Sequence, residues 1–257
     1  ECLRHQFRDG HGVLTWYPYD DSRYSDQPFW IIWAVCQLIK ETGDFSILDL
    51  EIEWQDGGKA AVLDHVKAAV NRLLQDKGKH GLVRIYFADW NDALDMAWEK
   101  GESVAFTCAY AGNLKDIADC LKHMEEKTGI SKIEMAEEMK CLLAEGTELY
   151  ESPDRKQKLL DEYTSLCEHN VKGGMILVST EQIRKNLVEK AEWLMQHIRE
   201  KEWISAGDNM GWFNGYYDNH GNAVEYSKKD EVRMMLTGQV FAVMSKTAGE
   251  EQVKEIC

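Results

Sequence analysis

Residues 22–44, SRYSDQPFWIIWAVCQLIKETGD, specify a helix together with its two ends. Ser25 or Asp26 can cap the start of this helix, Pro28 suits its first turn, and Gly43 can end it. Apolar side chains recur every three or four residues between these ends, which is the spacing of an amphipathic helix. The sequence therefore predicts a helix that buries one face. The residues of that face are Phe29, Ile32, Trp33, Cys36 and Ile39.

Charged and aromatic side chains crowd the approach to this helix, namely Asp20, Asp21, Arg23, Tyr24 and Asp26. A carboxylate at a helix N-terminus is commonly a cap, because it accepts hydrogen bonds from the unpaired N–H groups of the first turn. The sequence leaves two interpretations open for Asp26: a helix cap or a functional carboxylate.

The composition limits the class of protein. The chain has 257 residues, of which 44% are hydrophobic, enough for one large domain with a sizeable core. Its net charge of −15 disfavours nucleic acid and anionic membranes as partners, and we find no signal peptide and no membrane-spanning run. The seven cysteines are scattered and include no C-x-x-C pair, so neither a disulfide framework nor a zinc site is predicted. We expect a cytoplasmic protein.

Helical periodicity continues along most of the sequence. It predicts helices over residues 60–75, 103–128, 131–149 and 180–201, a short charged helix from Ser152, a last long helix from Glu231 and the start of another near Ala248. Residues 211–222 differ, because aromatic residues surround an Asp-Asn-His-Gly turn. They predict a short β-hairpin near residues 211–225, in which Asp218 and His220 either close the turn or reach a ligand.

The sequence Asp89-Trp90-Asn91-Asp92 follows a short apolar run and forms a dense polar and aromatic cluster. Carboxylate and amide groups take paired hydrogen bonds from vicinal hydroxyls, and a Trp face packs on the C–H side of a pyranose ring. The cluster therefore predicts a sugar-binding loop. The alternative is an Asx turn that caps the next helix.

Two histidines, His5 and His11, lie in the Gly-rich N-terminal segment. No third residue stands at a recognisable ligand spacing, so we favour hydrogen bonds to a loop or to a ligand hydroxyl over metal binding. No metal site is predicted.

Five stretches of the sequence carry a resemblance through their order: residues 5–10, 24–27 with 42–44, 89–92, 217–221 and 239–245. This order resembles glycoside hydrolase family 94, which contains the inverting cellobiose, chitobiose and related β-glucan phosphorylases. The resemblance spans nearly the whole chain and implies an all-α fold, an (α/α)6 barrel-like helical toroid. Residues 1–257 would then be a segment of one α-helical catalytic domain, truncated at both ends and forming a partial barrel.

The resemblance also implies a reaction. In an inverting phosphorylase one carboxylic acid protonates the leaving oxygen, and inorganic phosphate replaces the water of a hydrolase. Matching the family's motif makes Asp26 the general acid, with Tyr24 beside it in the sugar site. Burial among Tyr24, Trp30 and Trp90 would favour its protonated form, whereas the helix N-terminus would favour the anion. The expected substrate-binding residues are Arg23, Tyr24, Asp89, Trp90, Asn91 and Asp92.

The expected substrates are a β-linked gluco-oligosaccharide and inorganic phosphate, with no cofactor, and the resemblance also implies a homodimer. The chain departs from the family at Gln27, where the second Asp of the Ser-Asp-Asp motif is expected, and several sugar- and phosphate-binding motifs have no counterpart. Two alternatives therefore stay open: a catalytically incomplete carbohydrate-binding module, or a hydrolase on a similar helical barrel. A hydrolase would need a base roughly 6.5–9.5 Å from Asp26, for which Asp89 or Asp92 is the candidate. An open barrel would also expose apolar surface and self-associate.

Overall fold

The computed structural model describes residues 2–13, 15–16, 18–20, 24–75, 78–86, 97–143, 151–167, 174–207, 209–229 and 231–257. Most of the regular secondary structure in these ranges is helical. The helices are α1 (Gln27–Thr42), α2 (Val62–Gln75), α3 (Val104–Thr128), α4 (Pro153–Cys167), α5 (Thr180–Lys201), α6 (Leu236–Met244) and α7 (Glu250–Ile256), and 3₁₀ turns cover Cys2–His5, Phe45–Asp49 and Glu137–Leu143.

Short strands pair between the helices into small antiparallel sheets. The pairs are β1 (Thr15–Trp16) with β2 (Tyr19–Asp20), β3 (Glu51–Glu53) with β4 (Lys59–Ala61), β7 (Lys132–Ala136) with β8 (Met175–Ser179), β9 (Trp203–Ser205) with β10 (Gly211–Phe213), and β12 (Tyr226–Lys228) with β13 (Glu231–Arg233). One sheet has three strands in the order β11 (Tyr216–Tyr217), β6 (Glu102–Ser103), β5 (Val83–Arg84).

The chain divides into two compact units, and the division falls within α3 and α5. One unit contains residues 1–113 and 194–257, and the other contains residues 114–193. The prediction of a single catalytic domain over residues 1–257 stays a prediction.

Helix α1 confirms the prediction from residues 22–44 and packs against α2 in the larger unit. Gly43 follows its last residue with φ 64°, and the Gly43 N–H donates to the carbonyl of Ile39. Glycine takes this left-handed conformation without the clash that a Cβ would cause, so the helix ends where the sequence predicts. The predicted apolar face is buried except at Trp33, and Ile31 and Val35 join it.

The core beside the three-stranded sheet belongs to the same unit. It gathers buried side chains from the start of α3, the end of α5, strand β10 and α6, together with the residue before β5 and one between α6 and α7: Leu82, Val104, Cys108, Ile198, Phe213, Ala242 and Ala248. The register of β5 against β6 pairs Val83 with Ser103 and Arg84 with Glu102. Ile85, the residue after β5, is buried in a second cluster with Ala97, Ala105 and Tyr216.

The smaller unit corrects the helix predicted over residues 131–149. Residues 132–136 form strand β7 and residues 137–143 a 3₁₀ turn, while residues 144–150 lie outside the described ranges. Strand β7 pairs along its whole length with β8, from Lys132 opposite Ser179 to Ala136 opposite Met175. Ile133 and Met135 fit a two-residue period as well as a helical one, and the partner strand decides between them.

The final segment also differs from its prediction. The helix expected from Glu231 begins only at Leu236, because residues 231–233 pair with β12. The hairpin expected near residues 211–225 is present in reduced form: Tyr217 pairs with Ala223 around a turn, whereas β10 pairs backward with β9. The all-α description is therefore incomplete. Within the described residues, no helix combines the length and the apolarity needed to cross a bilayer.

Candidate functional site

Asp26 stands immediately before α1 but does not cap it. Its backbone is helical, with φ −84° and ψ −20°, and its side chain accepts no hydrogen bond from the first-turn N–H groups. A capping side chain normally extends from a residue with non-helical backbone and reaches the N–H two or three residues ahead. The cap interpretation is therefore wrong, and another role must account for this carboxylate.

The Asp26 carboxylate is buried, and its two oxygens have different surroundings. The residue is only 1% exposed. Oδ2 accepts a hydrogen bond of 2.5 Å from the indole Nε1 of Trp30, one helical turn further on. Oδ1 is buried and has no hydrogen-bond partner among the residues that the structure describes. Leaving a buried carboxylate oxygen unpaired is costly, so this oxygen marks a candidate site for a ligand hydroxyl or a transferable proton.

The residues before Asp26 are held against the end of β5. The hydroxyl of Ser25 donates to the carbonyl of Ile85 at 2.8 Å, and Tyr24 forms an isolated antiparallel bridge with Tyr86. Tyr86 has φ 44°, an uncommon value for a residue with a side chain. The chain therefore leaves β5 beside Tyr24 and enters the stretch that contains the predicted sugar-binding cluster.

The first turn of α1 is fixed from the core side. Phe29 contacts Phe106 and Phe241 edge-on, at ring-centroid distances of 5.7 and 6.2 Å. The side chain of Asn113 donates to the Phe29 carbonyl at 3.2 Å. Because both the apolar side chain and the backbone are anchored, Asp26 and Trp30 are carried by a rigid element.

Two of the predicted site residues, Tyr24 and Asp26, lie in the described part of the chain, and both are at the start of α1. Tyr24 is half-buried and Asp26 fully buried. Arg23, Asp89, Trp90, Asn91 and Asp92 lie outside the described residues, so their roles stay predictions. The sequence predicted Trp30 only as a residue that lines the Asp26 site and did not predict its hydrogen bond. The available signal was its spacing of four residues from Asp26, which places the two side chains on one helix face.

Comparison with known proteins decides the family. The catalytic-domain profile of the Glycosyl hydrolase 94 superfamily matches residues 15–151, more than half of the chain. The chain belongs to this superfamily. The matched residues include Asp26, Trp30 and the whole Asp89–Asp92 cluster.

Curated members of the superfamily are similar to this chain. Solabiose phosphorylase from Paenibacillus borealis is 35% identical over 255 residues, which are 98% of this chain and 26% of that enzyme. N,N′-diacetylchitobiose phosphorylase from Vibrio proteolyticus is 34% identical over 100 residues, 39% of this chain and 12% of the enzyme. Cellobionic acid phosphorylase from Neurospora crassa is 30% identical over 111 residues, which are 42% of this chain and 14% of that enzyme. The chain thus spans about a quarter of the length of solabiose phosphorylase.

Outside the start of α1, the glycosyl hydrolase 94 chain contains a buried polar network that the sequence did not predict. Glu102 accepts hydrogen bonds of 3.0 Å from the N–H groups of His80 and Leu82, and its Oε1 lies 2.8 Å from His80 Nδ1. The His80 ring stacks on Tyr217 at 3.8 Å, and the Tyr217 hydroxyl donates to Glu202 at 2.9 Å. Burial raises the pKa of Glu202. These contacts connect the segment before β5 to Glu102 in β6 and to Tyr217 in β11.

Another buried carboxylate, Glu225, binds two backbone N–H groups. Its Oε1 accepts from Gly215 at 2.9 Å and its Oε2 from Met235 at 3.1 Å. Burial raises the pKa of Glu225 to about 7. Gln239, predicted to be a polar residue on an apolar helix, exchanges hydrogen bonds of 2.8 Å with both backbone groups of Phe213. Both side chains join β10 and the following loop to α6, which is a structural role.

The remaining polar residues singled out by the sequence make local contacts. Asp218 accepts from the N–H groups of His220 and Asn222 at 2.8 Å, so these residues close the turn as one interpretation predicted. His11 is buried, stacks on Phe7 at 4.6 Å and lies 2.7 Å from Asp9. His5 lies 3.3 Å from the side-chain oxygen of Gln55. Among the described residues, no three His, Cys, Asp or Glu side chains gather as metal ligands would.

Proposed function

We propose that the protein containing this chain is an inverting glycoside phosphorylase. It cleaves a β-linked gluco-oligosaccharide with inorganic phosphate and releases a sugar 1-phosphate, and Asp26 is its general acid. The observation that carries this proposal is the Asp26 carboxylate, which is buried at the start of α1, does not cap the helix and keeps one oxygen without a partner among the described residues.

The proposed chemistry needs only one carboxyl group from the protein. Asp26 protonates the glycosidic oxygen while phosphate attacks the anomeric carbon from the opposite ring face, so the configuration inverts. Phosphate thus takes the position that a base-activated water occupies in an inverting hydrolase. Phosphorylase names among the relatives support this choice over hydrolysis.

The bridge from Tyr24 to Tyr86 supports a role for the Asp89–Asp92 cluster in the same site. Tyr86 is three residues before Asp89, and an extended chain covers about 3.3 Å per residue. The cluster therefore starts within about 10 Å, along the chain, of a residue that is paired beside Asp26. We propose Arg23, Tyr24, Asp89, Trp90, Asn91 and Asp92 as its substrate-binding residues.

We further propose that the helices belong to an (α/α)6 barrel-like catalytic domain, of which residues 1–257 are one segment. The superfamily match and the helical content support this architecture. A cytoplasmic location, a homodimer and the use of no cofactor complete the proposal. Light scattering of the purified full-length protein measures the oligomeric state directly.

The test is sugar 1-phosphate release by the full-length protein and its Asp26→Asn variant. Suitable donors are cellobiose, N,N′-diacetylchitobiose, solabiose and cellobionic acid, each with and without inorganic phosphate. We expect phosphate-dependent release from at least one donor, and a loss of at least about a hundredfold in Asp26→Asn, since general acid catalysis contributes about 10²–10⁴.

Asp44→Asn is the matched control, because Asp44 does cap a turn: its carboxylate accepts a hydrogen bond of 2.9 Å from the N–H of Ser46. It should keep full activity and lose a little stability. Asp26→Asn should retain the circular dichroism spectrum of the wild type. Undiminished product from Asp26→Asn would refute the assignment. Oligosaccharide binding in calorimetry without phosphate-dependent product would instead favour the carbohydrate-binding module, which Gln27 motivates.

A further inference from the structure

The two oxygens of the Asp26 carboxyl group are not equivalent. Oδ2 is engaged by the Trp30 indole at 2.5 Å, whereas Oδ1 is buried with no partner among the described residues. An indole N–H is only a donor, so it takes a lone pair of Oδ2, and a carbonyl oxygen accepts such a bond better than a protonated hydroxyl oxygen does. When Asp26 is protonated, the proton therefore belongs on Oδ1.

We propose that Trp30 is a positioning residue for Asp26. Its N–H fixes Oδ2, so that Oδ1 alone carries the proton that is delivered to the leaving oxygen. This inference rests on the proposed function and adds to it which oxygen acts and what orients it.

Trp30 is well placed to hold one orientation although its ring reaches the surface. The residue is 39% exposed. Its ring is wedged edge-on against Phe29 at 4.7 Å and against Trp33 at 6.2 Å. The spacing of four residues along α1 keeps its side chain over Asp26. The hydrogen bond is therefore built into the helix that carries the acid.

In the proposed step, Oδ1 of Asp26 delivers its proton to the leaving oxygen. The Oδ1–H bond breaks and its proton passes to the glycosidic oxygen, which keeps the electron pair of the breaking bond to the anomeric carbon. A phosphate oxygen supplies the pair for the new bond to that carbon. Asp26 is left as a carboxylate and regains its proton from solvent after the products leave. The Trp30 N–H stabilises the carboxylate as its charge develops, because hydrogen bonds to charged groups are the stronger ones.

Trp30→Phe removes the N–H and keeps an aromatic ring. We expect kcat on the disaccharide donor to fall about 10- to 100-fold, with KM little changed, because a hydrogen bond to a charged group is lost in the transition state.

β-D-Glucosyl fluoride separates proton donation from folding. Fluoride leaves without protonation, so phosphorolysis of this donor bypasses the acid. Trp30→Phe should act on the fluoride within about twofold of wild type, as should Asp26→Asn. Trp203→Phe is the matched control: it makes the same substitution on β9, where the Trp203 ring contacts Phe213 at 4.9 Å. It should behave as wild type with both donors.

Three results would overturn the inference. Unchanged kcat on the disaccharide would show that the indole N–H is dispensable, and an equal loss on the fluoride would assign Trp30 a purely structural role. A wild-type protein that forms no sugar 1-phosphate from either donor would remove the proposed function, and the inference with it. When the wild type is active, the behaviour of Trp30→Phe tests the role of Trp30 alone and leaves the proposed function standing.

Discussion

At the scale of single residues, the buried carboxylates of this chain follow two different patterns. Glu225 uses both oxygens to accept backbone N–H groups, as expected of a structural side chain. Asp26 leaves one oxygen unpaired among the described residues and receives its one hydrogen bond from a half-exposed Trp30. Burial alone therefore does not identify the functional acid, whereas the pairing of each oxygen does.

Glu225 gives a prediction about stability and pH. Its pKa is raised from 4.5 to about 7 by burial, so between these values the folded chain keeps a proton that the unfolded chain has released. The free energy of unfolding should therefore fall by up to about 3 kcal/mol between pH 4.5 and pH 7 and show no further loss from this group above pH 7. Urea unfolding at half-unit pH steps measures this.

Glu225→Gln should remove this part of the pH dependence, although it also weakens one backbone hydrogen bond. Glu99→Gln, at an exposed position, is the control and should retain the wild-type slope. Lys190 does not confuse the comparison. Burial lowers its pKa to about 7, so Lys190 changes the free energy of unfolding mainly above pH 7, where it makes that free energy rise with pH. An unchanged slope in Glu225→Gln would contradict the prediction.

At the scale of elements, the sequence predicted the helices whose ends and faces are marked by local chemistry. Helix α1 has Pro28 in its first turn and Gly43 past its end, and α5 matches its predicted range from Thr180 to Lys201. The prediction failed over residues 131–143, where pairing with a strand about forty residues away overrides a helical period. Such long-range pairing leaves no signal in one short window.

The candidate site divides in the same way. Asp26 was predicted from its motif, but the sequence could not choose between a cap and a functional acid, because the choice depends on where the side chain points. The bond to Trp30 and the bridge from Tyr24 to Tyr86 depend on rotamer and tertiary pairing. The sequence alone does not specify whether the Asp26 carboxylate accepts from the first-turn N–H groups or from the Trp30 indole.

The turn at Gly10, in the N-terminal segment, gives a prediction about close packing against α2. Gly10 has φ 95°, and a Cβ there would lie 2.1 Å from the carbonyl oxygen of Ala68 in α2. Gly57 has nearly the same φ, 89°, with nothing within 4 Å. Gly57→Ala should cost about 1–2 kcal/mol of unfolding free energy from backbone strain alone. Gly10→Ala should cost at least about 3 kcal/mol, because strain and a backbone clash add.

Thermal or chemical unfolding of the two alanine variants side by side isolates the clash, since the backbone strain is matched. Equal losses in Gly10→Ala and Gly57→Ala would mean that the Gly10 turn moves away from α2 without cost. The close approach would then not be needed to hold the N-terminal segment on α2.

At the scale of the whole molecule, a large net charge coexists with exposed apolar side chains on one short stretch. The charge is −15. Helix α6 buries Gly238, Gln239 and Ala242, whereas several apolar side chains on the helix and in the residues just before it are exposed. The exposed residues are Val232, Met234, Leu236, Val240, Val243 and Met244, from 36% to 70% exposed. Exposed apolar side chains grouped along one short stretch favour association, and the self-association expected from the sequence stays a prediction.

The last prediction follows from this balance of charge and apolar surface. The 257-residue chain should self-associate more strongly as salt rises, because screening weakens the repulsion between negatively charged copies while the apolar attraction remains. Sedimentation measures the self-association, and the fluorescence of a hydrophobic dye measures the exposed apolar surface. The double variant Leu236→Lys with Met244→Lys should lower both, whereas Leu50→Lys, at an exposed leucine on another segment, should leave them unchanged. A monodisperse monomer at high salt that binds no dye would show that the α6 face does not drive association.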